Sequence, residues 1–151
     1  MPEMPQVDTL TQLQLAEIQL DRAICLYLDE SDFVCAITLA GAADVLLGKL
    51  LAGSGGEPLV ENYAVVISKF NVALGGAPIE KKDAIAELNA ARDSMKHFRA
   101  EGAVSFDFAE EAYELIDRAV GNFLRLTNSE TQHQVRFRLA RGASNNRSRG
   151  P

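Results

Sequence analysis

At 151 residues and 16.4 kDa, with 47% hydrophobic and 24% charged residues, the chain has the make-up of one ordinary globular domain; neither a disordered nor a membrane-embedded protein is expected. The net charge of −6 and pI of about 4.9 disfavour broad adhesion to nucleic acid or acidic lipid, so any contact with an anion must be local. Charge is also uneven: residues 131–151 hold five arginines and no acid, which leaves −11 on residues 1–130.

Residues 1–9 read as a flexible N-terminus without the basic and apolar regions of a secretory signal, so a cytoplasmic protein is expected. β-branched alternation is scarce, and Ala, Leu, Glu and Lys fill the segments between glycine-rich breaks, which points to helices throughout. The first helix is expected from about Leu10 to Leu28, where Leu13, Ala16, Leu20, Ala23, Ile24 and Tyr27 recur at three- and four-residue spacing. Cys25 lies on it and Cys35 on the next helix; with no His or Cys at metal-ligand spacing, both read as buried free thiols.

The second helix should begin at Ser31 or Asp32, either of which caps backbone N–H groups, and run to about Leu51. It is apolar nearly all round, so it has to be the central helix. Asp44 and Lys49 interrupt it, and because burying a lone charge is costly, each is expected to reach the surface or to find a partner. The glycines around Ser54 end the helix but lack the Gly-Lys-Ser/Thr of a phosphate loop.

A third helix is expected from near Pro58 to the Gly75-Gly76-Ala77-Pro78 break, and a fourth from Ile79 or Glu80 to beyond His97. The fifth runs from about Asp107 to Leu126 after good capping residues, and a short sixth spans Glu130 to Leu139. The domain therefore covers residues 10–140 as an all-α, up-and-down bundle of five or six helices, followed by a disordered, Arg-rich tail over residues 141–151.

Two histidines are the general-base candidates. His133 reads as a surface helix position. His97 lies in Arg92-Asp93-Ser94-Met95-Lys96-His97 near a helix end, with Asp93 four residues earlier on the same face to hold its imidazole. Arg92 is five residues earlier, about 140° round an ideal helix, so the two meet only through a wrapped side chain, a loosened last turn or a second subunit. Together an imidazole and a guanidinium suit phosphodiester cleavage in RNA, the first moving the proton of the 2′-hydroxyl or the leaving oxygen, the second binding phosphate as charge builds. Lys96 adds a point charge for phosphate, and Asp44 belongs to the same site if it faces His97 across the bundle. No cofactor or metal pattern is present in the sequence.

Arg92-x4-His97, with the polar Asp93 directly after the arginine and the Ala36–Asp44 stretch of small apolar residues, resembles the HEPN superfamily, the higher eukaryotes and prokaryotes nucleotide-binding domain, in its small bacterial form. The resemblance covers most of the chain. It implies a metal-independent endoribonuclease with Arg92 and His97 as the catalytic pair and Asp93 as helper, acting as a homodimer on RNA or a nucleotide, with a protein partner such as an antitoxin. The competing expectation is a non-catalytic dimeric interaction or regulatory protein in which Arg92 and Asp93 form a structural ion pair and the arginine tail or dimer surface holds a partner.

Overall fold

A computed structural model describes residues 8–100 and 102–147, and among them every regular element is helical. The N-terminal residues 1–7 and the last four of the expected tail lie outside the described residues. Helix α1 spans Gln12–Cys25. Thr11 opens it: its hydroxyl accepts from the Gln14 N–H while the Gln14 side chain accepts from the Thr11 N–H, a reciprocal cap that satisfies two otherwise orphaned donors. The chain then continues into a π-helical turn, Leu26–Glu30, which Ser31 ends by taking a left-handed conformation (φ 53°).

Helix α2, Phe33–Gly53, starts where expected, with the Asp32 carboxylate accepting from the Cys35 N–H at 3.0 Å. By length and composition α2 is apolar enough to cross a membrane, and half of its apolar window is buried inside the bundle. It packs against α1 and against α6, Phe108–Thr127. Small residues make the close approach possible: Ala36, Ala40 and Ala43 of α2 are fully buried against a core that includes Leu20 and Ile24 of α1 and Ile116 and Ala119 of α6.

Helix α3, Leu59–Ala73, follows Pro58 and ends at Gly75, whose φ of +87° only glycine adopts freely. The fourth expected helix is divided. Helix α4 covers Lys81–Leu88 and the five-residue α5 covers Ala90–Ser94, separated at Asn89 (φ −104°, ψ 0°). Asp107 caps α6, and Asn128, left-handed at φ 53°, closes it.

The last helix is longer than expected: α7 runs from Gln132 to Arg147, into the segment read from the sequence as structureless. Ala140, Arg141 and Ala143 favour helix and no proline intervenes before Pro151, so α7 propagates through Gly142. Phe137 anchors it in the core beside Tyr27 and Tyr113, at ring-centroid separations of 6.0 and 5.4 Å.

Candidate functional site

Two groups of polar residues meet α2, one inside the bundle and one at its edge. The inner group forms around Asp44. Its Oδ2 accepts from Arg118 Nε (3.1 Å) and Nη2 (2.8 Å), and its Oδ1 accepts from Asn122 Nδ2 (3.0 Å). The same Arg118 Nη2 donates to Asn89 Oδ1 at 2.7 Å, and Asn122 Oδ1 accepts the Leu59 N–H at 2.9 Å. All four side chains are more than nine-tenths buried. The network therefore ties α2 and α6 to the α4–α5 break and to the first turn of α3.

The sequence expectation for Asp44 is corrected by this geometry. Asp44 faces Arg118 and Asn122 rather than His97, because a carboxylate buried in an apolar helix needs a full set of donors and α6 supplies them. Lys49, one turn further along, reaches the surface. Arg118, Asn89 and Asn122 were not anticipated from the sequence. The available signal was their register: Arg118 and Asn122, four apart, fall within the stripe of α6 that buries Leu115, Ala119 and Phe123.

The edge group is Arg92, Asp93, Lys96 and His97. Arg92 lies on α5 with its side chain only 15% exposed, laid across Gly41 of α2; a methyl group at Gly41 would come within 2.8 Å of Arg92 Cδ. Its Nε and Nη2 both lie 2.9 Å from Asp93 Oδ1, and Lys96 Nζ approaches the same oxygen at 3.7 Å. Asp93 was expected to hold the imidazole of His97; it holds the guanidinium instead, since the neighbouring cation is closer and permanently charged. Helix α5 ends at Ser94, and although the His97 N–H still donates to the Asp93 carbonyl (3.1 Å), the imidazole is exposed and makes no hydrogen bond or ion pair among the described residues. The loosened last turn thus places Arg92 and His97 at one end of one short helix without joining their side chains.

Arg92 separates two grooves. One, of about 390 Å³, has apolar walls from Ala42, Val45, Leu46 and Met95, with Arg92 and Lys96 as its cations. The other, of about 290 Å³, runs between α2, the start of α3 and the α4–α5 break; Lys49, Asn89 and Arg92 line it.

Elsewhere, Cys25 Sγ lies 3.4 Å from His133 Nδ1, so His133 is half-buried rather than a surface residue, held between α1 and α7. Cys35 corrects the expectation of two buried thiols: it is exposed, and Asp32 pushes its thiol pKa up, first through the hydrogen bond and then through charge. A third cavity, about 270 Å³, is lined by Tyr63, Glu111, Tyr113, Glu114 and Asp117; burial, followed by repulsion from neighbouring acids, raises the pKa of Glu111 and of Glu114. Among the described residues no group of three or more His, Cys, Asp or Glu is placed to hold a metal ion.

Compared with models of protein families, with curated proteins and with solved structures, the chain gives no match.

Proposed function

We propose that the chain is a HEPN-like, metal-independent endoribonuclease of the cytoplasm that works as a homodimer on RNA. The observation that carries this reading is the exposed imidazole of His97, which makes no hydrogen bond or ion pair among the described residues and lies just beyond the short helix that fixes the Arg92 guanidinium. In this scheme Arg92 binds the scissile phosphate and Lys96 adds charge at its rim. One neutral imidazole takes the proton of the 2′-hydroxyl, the 2′-oxygen attacks phosphorus, and the 5′-oxygen leaves with a proton from an imidazolium. The products are a 2′,3′-cyclic phosphate and a 5′-hydroxyl. Because one chain does not bring the Arg92 and His97 side chains together, a second copy completes the constellation by placing its own His97 opposite Arg92.

The test is incubation of the parent and of His97→Ala with structured RNA in the presence of a chelator. Loss of general acid–base catalysis should lower the rate about 10²–10⁴-fold, with cyclic phosphate ends from the parent alone. Equal cleavage by both proteins would assign the activity elsewhere.

A second reading has its own supporting observation. The Arg92–Asp93 pair at 2.9 Å places a carboxylate where RNA phosphate must approach, and α3 with the residue that caps it exposes Val66, Phe70 and Leu74, which suits a non-catalytic helical protein that binds a partner such as an antitoxin. RNA binding by the full chain and by a chain ending at Arg141, compared across salt concentrations, separates tail-driven adhesion from binding at Arg92.

A further inference from the structure

We propose that Cys25 and His133 form a nucleophilic site that takes up small disulfides bearing carboxylates, such as glutathione disulfide, as a mixed disulfide on Cys25. The two residues meet in the seam between α1 and α7, and neither belongs to the group around Arg92 and His97, so the site stands apart from the ribonuclease reading. Cys25 Sγ lies 3.4 Å from His133 Nδ1, within hydrogen-bond reach for sulfur, and His133 Nε2 makes no hydrogen bond among the described residues. With the ring proton on Nε2, Nδ1 accepts from the Cys25 thiol, which is the arrangement in which an imidazole serves a nucleophile as general base. Both residues are half-buried, so each keeps part of its surface in solvent.

The surroundings favour negative charge as it develops on this sulfur. His133 sits in the first turn of α7, which Thr131 opens by accepting the Gln134 N–H with its hydroxyl, so the positive end of that helix lies beside Sγ. Arg136 is close enough to Cys25 for their charges to interact; its Nη2 donates to Asp29 of the π-helical turn at 2.6 Å, while Nε and Nη1 make no hydrogen bond among the described residues. A groove of about 460 Å³ runs along His133 and Arg136, with Val135 and Leu139 as apolar walls, and offers that guanidinium to a carboxylate. Cys35 has none of this: it is exposed, and its thiol pKa is pushed up by Asp32. In the reaction Nδ1 takes the Cys25 proton, Sγ attacks the nearer sulfur of the disulfide, the sulfur–sulfur bond breaks, and the departing thiolate receives the proton from the imidazolium. Cys25 is oxidised to the mixed disulfide, and the other half of the disulfide leaves as reduced thiol.

The experiment uses two variants of the whole chain, Cys35→Ser and Cys25→Ser, each left with a single thiol. Adduct formation with glutathione disulfide is followed by intact mass at neutral pH, in buffer and in unfolding urea. Cys25 should react about tenfold or more faster in the folded chain than in urea, because only the fold brings His133 to it, whereas Cys35, held back by Asp32, should react more slowly folded than unfolded. His133→Gln in the Cys35→Ser background replaces the base with an amide and should bring the folded rate down to about the rate in urea. Circular dichroism establishes that this variant is folded; if it is not, the ratio of folded to unfolded rates for Cys25 still decides. That ratio should be larger for glutathione disulfide than for the uncharged bis(hydroxyethyl) disulfide, and equal ratios would overturn the preference for carboxylates. Cys25 reacting no faster in the folded chain than in urea, or a folded His133→Gln reacting within about twofold of its parent, would overturn the site itself.

Discussion

Inside the bundle, the Asp44 carboxylate is held by Arg118 and Asn122, and Arg118 also reaches Asn89; four residues further along the chain from Asn89, Asp93 shares a single oxygen between Arg92 and Lys96, and the His97 side chain has no hydrogen bond or ion pair among the described residues. Each place holds an Asp–Arg pair, and burial makes the difference between them. A desolvated ion pair has to be saturated with hydrogen bonds, so it is committed to holding helices together. An ion pair at the rim keeps unused donors and is therefore able to meet a ligand.

The sharpest way to break this comparison is to remove Arg118. Arg118→Ala leaves Asp44 buried and uncompensated, and urea unfolding should show a loss of about 3–5 kcal/mol. Smaller, and more informative about Arg92, is Gly41→Ala. The added methyl group meets the Arg92 side chain, so the substitution should cost about 1–3 kcal/mol by crowding. In an Arg92→Ala background the crowding is gone, and the same change should stabilise by up to about 1 kcal/mol through helix propensity. A double-mutant cycle in urea measures that reversal of sign, and equal effects in both backgrounds would show that Arg92 does not lie across Gly41.

Glu111 offers a third contrast, a partly buried carboxylate on which burial and the neighbouring acids Glu114, Glu110 and Asp107 outweigh the attraction of Arg118. Its folded pKa lies above the ordinary 4.5, so the native state holds more protons than the unfolded state just above that value, and stability falls as pH rises through the window. Glu111→Gln should therefore raise the Tm at neutral pH and leave it unchanged at about pH 3, where the parent carboxyl is protonated in both states. Thermal scans at the two pH values check this. The smallest effect belongs to His97→Ala, which removes an exposed ring that makes no hydrogen bond or ion pair among the described residues and should change stability by less than about 0.5 kcal/mol.

Much of the fold was legible because local signals dominate it. Asp32, Pro58 and Asp107 mark starts that the structure places within a residue or two, and Gly75 marks a real end. The break at Asn89 was not legible, since Ala84, Ile85, Leu88 and Ala91 keep helical spacing through it; the side chain of Asn89 is claimed by Arg118, a residue 29 positions away. For the candidate site, the sequence identified the residues at the edge, and Asp44 as an oddity in an apolar helix. Which carboxylate would hold which cation depended on α6 crossing α2, and a spacing rule within one helix carries no information about that crossing.

The seam between α1 and α7 has a mechanical consequence. Along it, Thr131 meets Asp21, His133 meets Cys25 and Arg136 meets Asp29, so residue numbers rise together on both sides and the first and last helices run in the same direction. The chain therefore enters this pair of helices at one end and leaves at the other. A pull applied to the two termini would load the three contacts in shear, all at once, instead of peeling them open one after another.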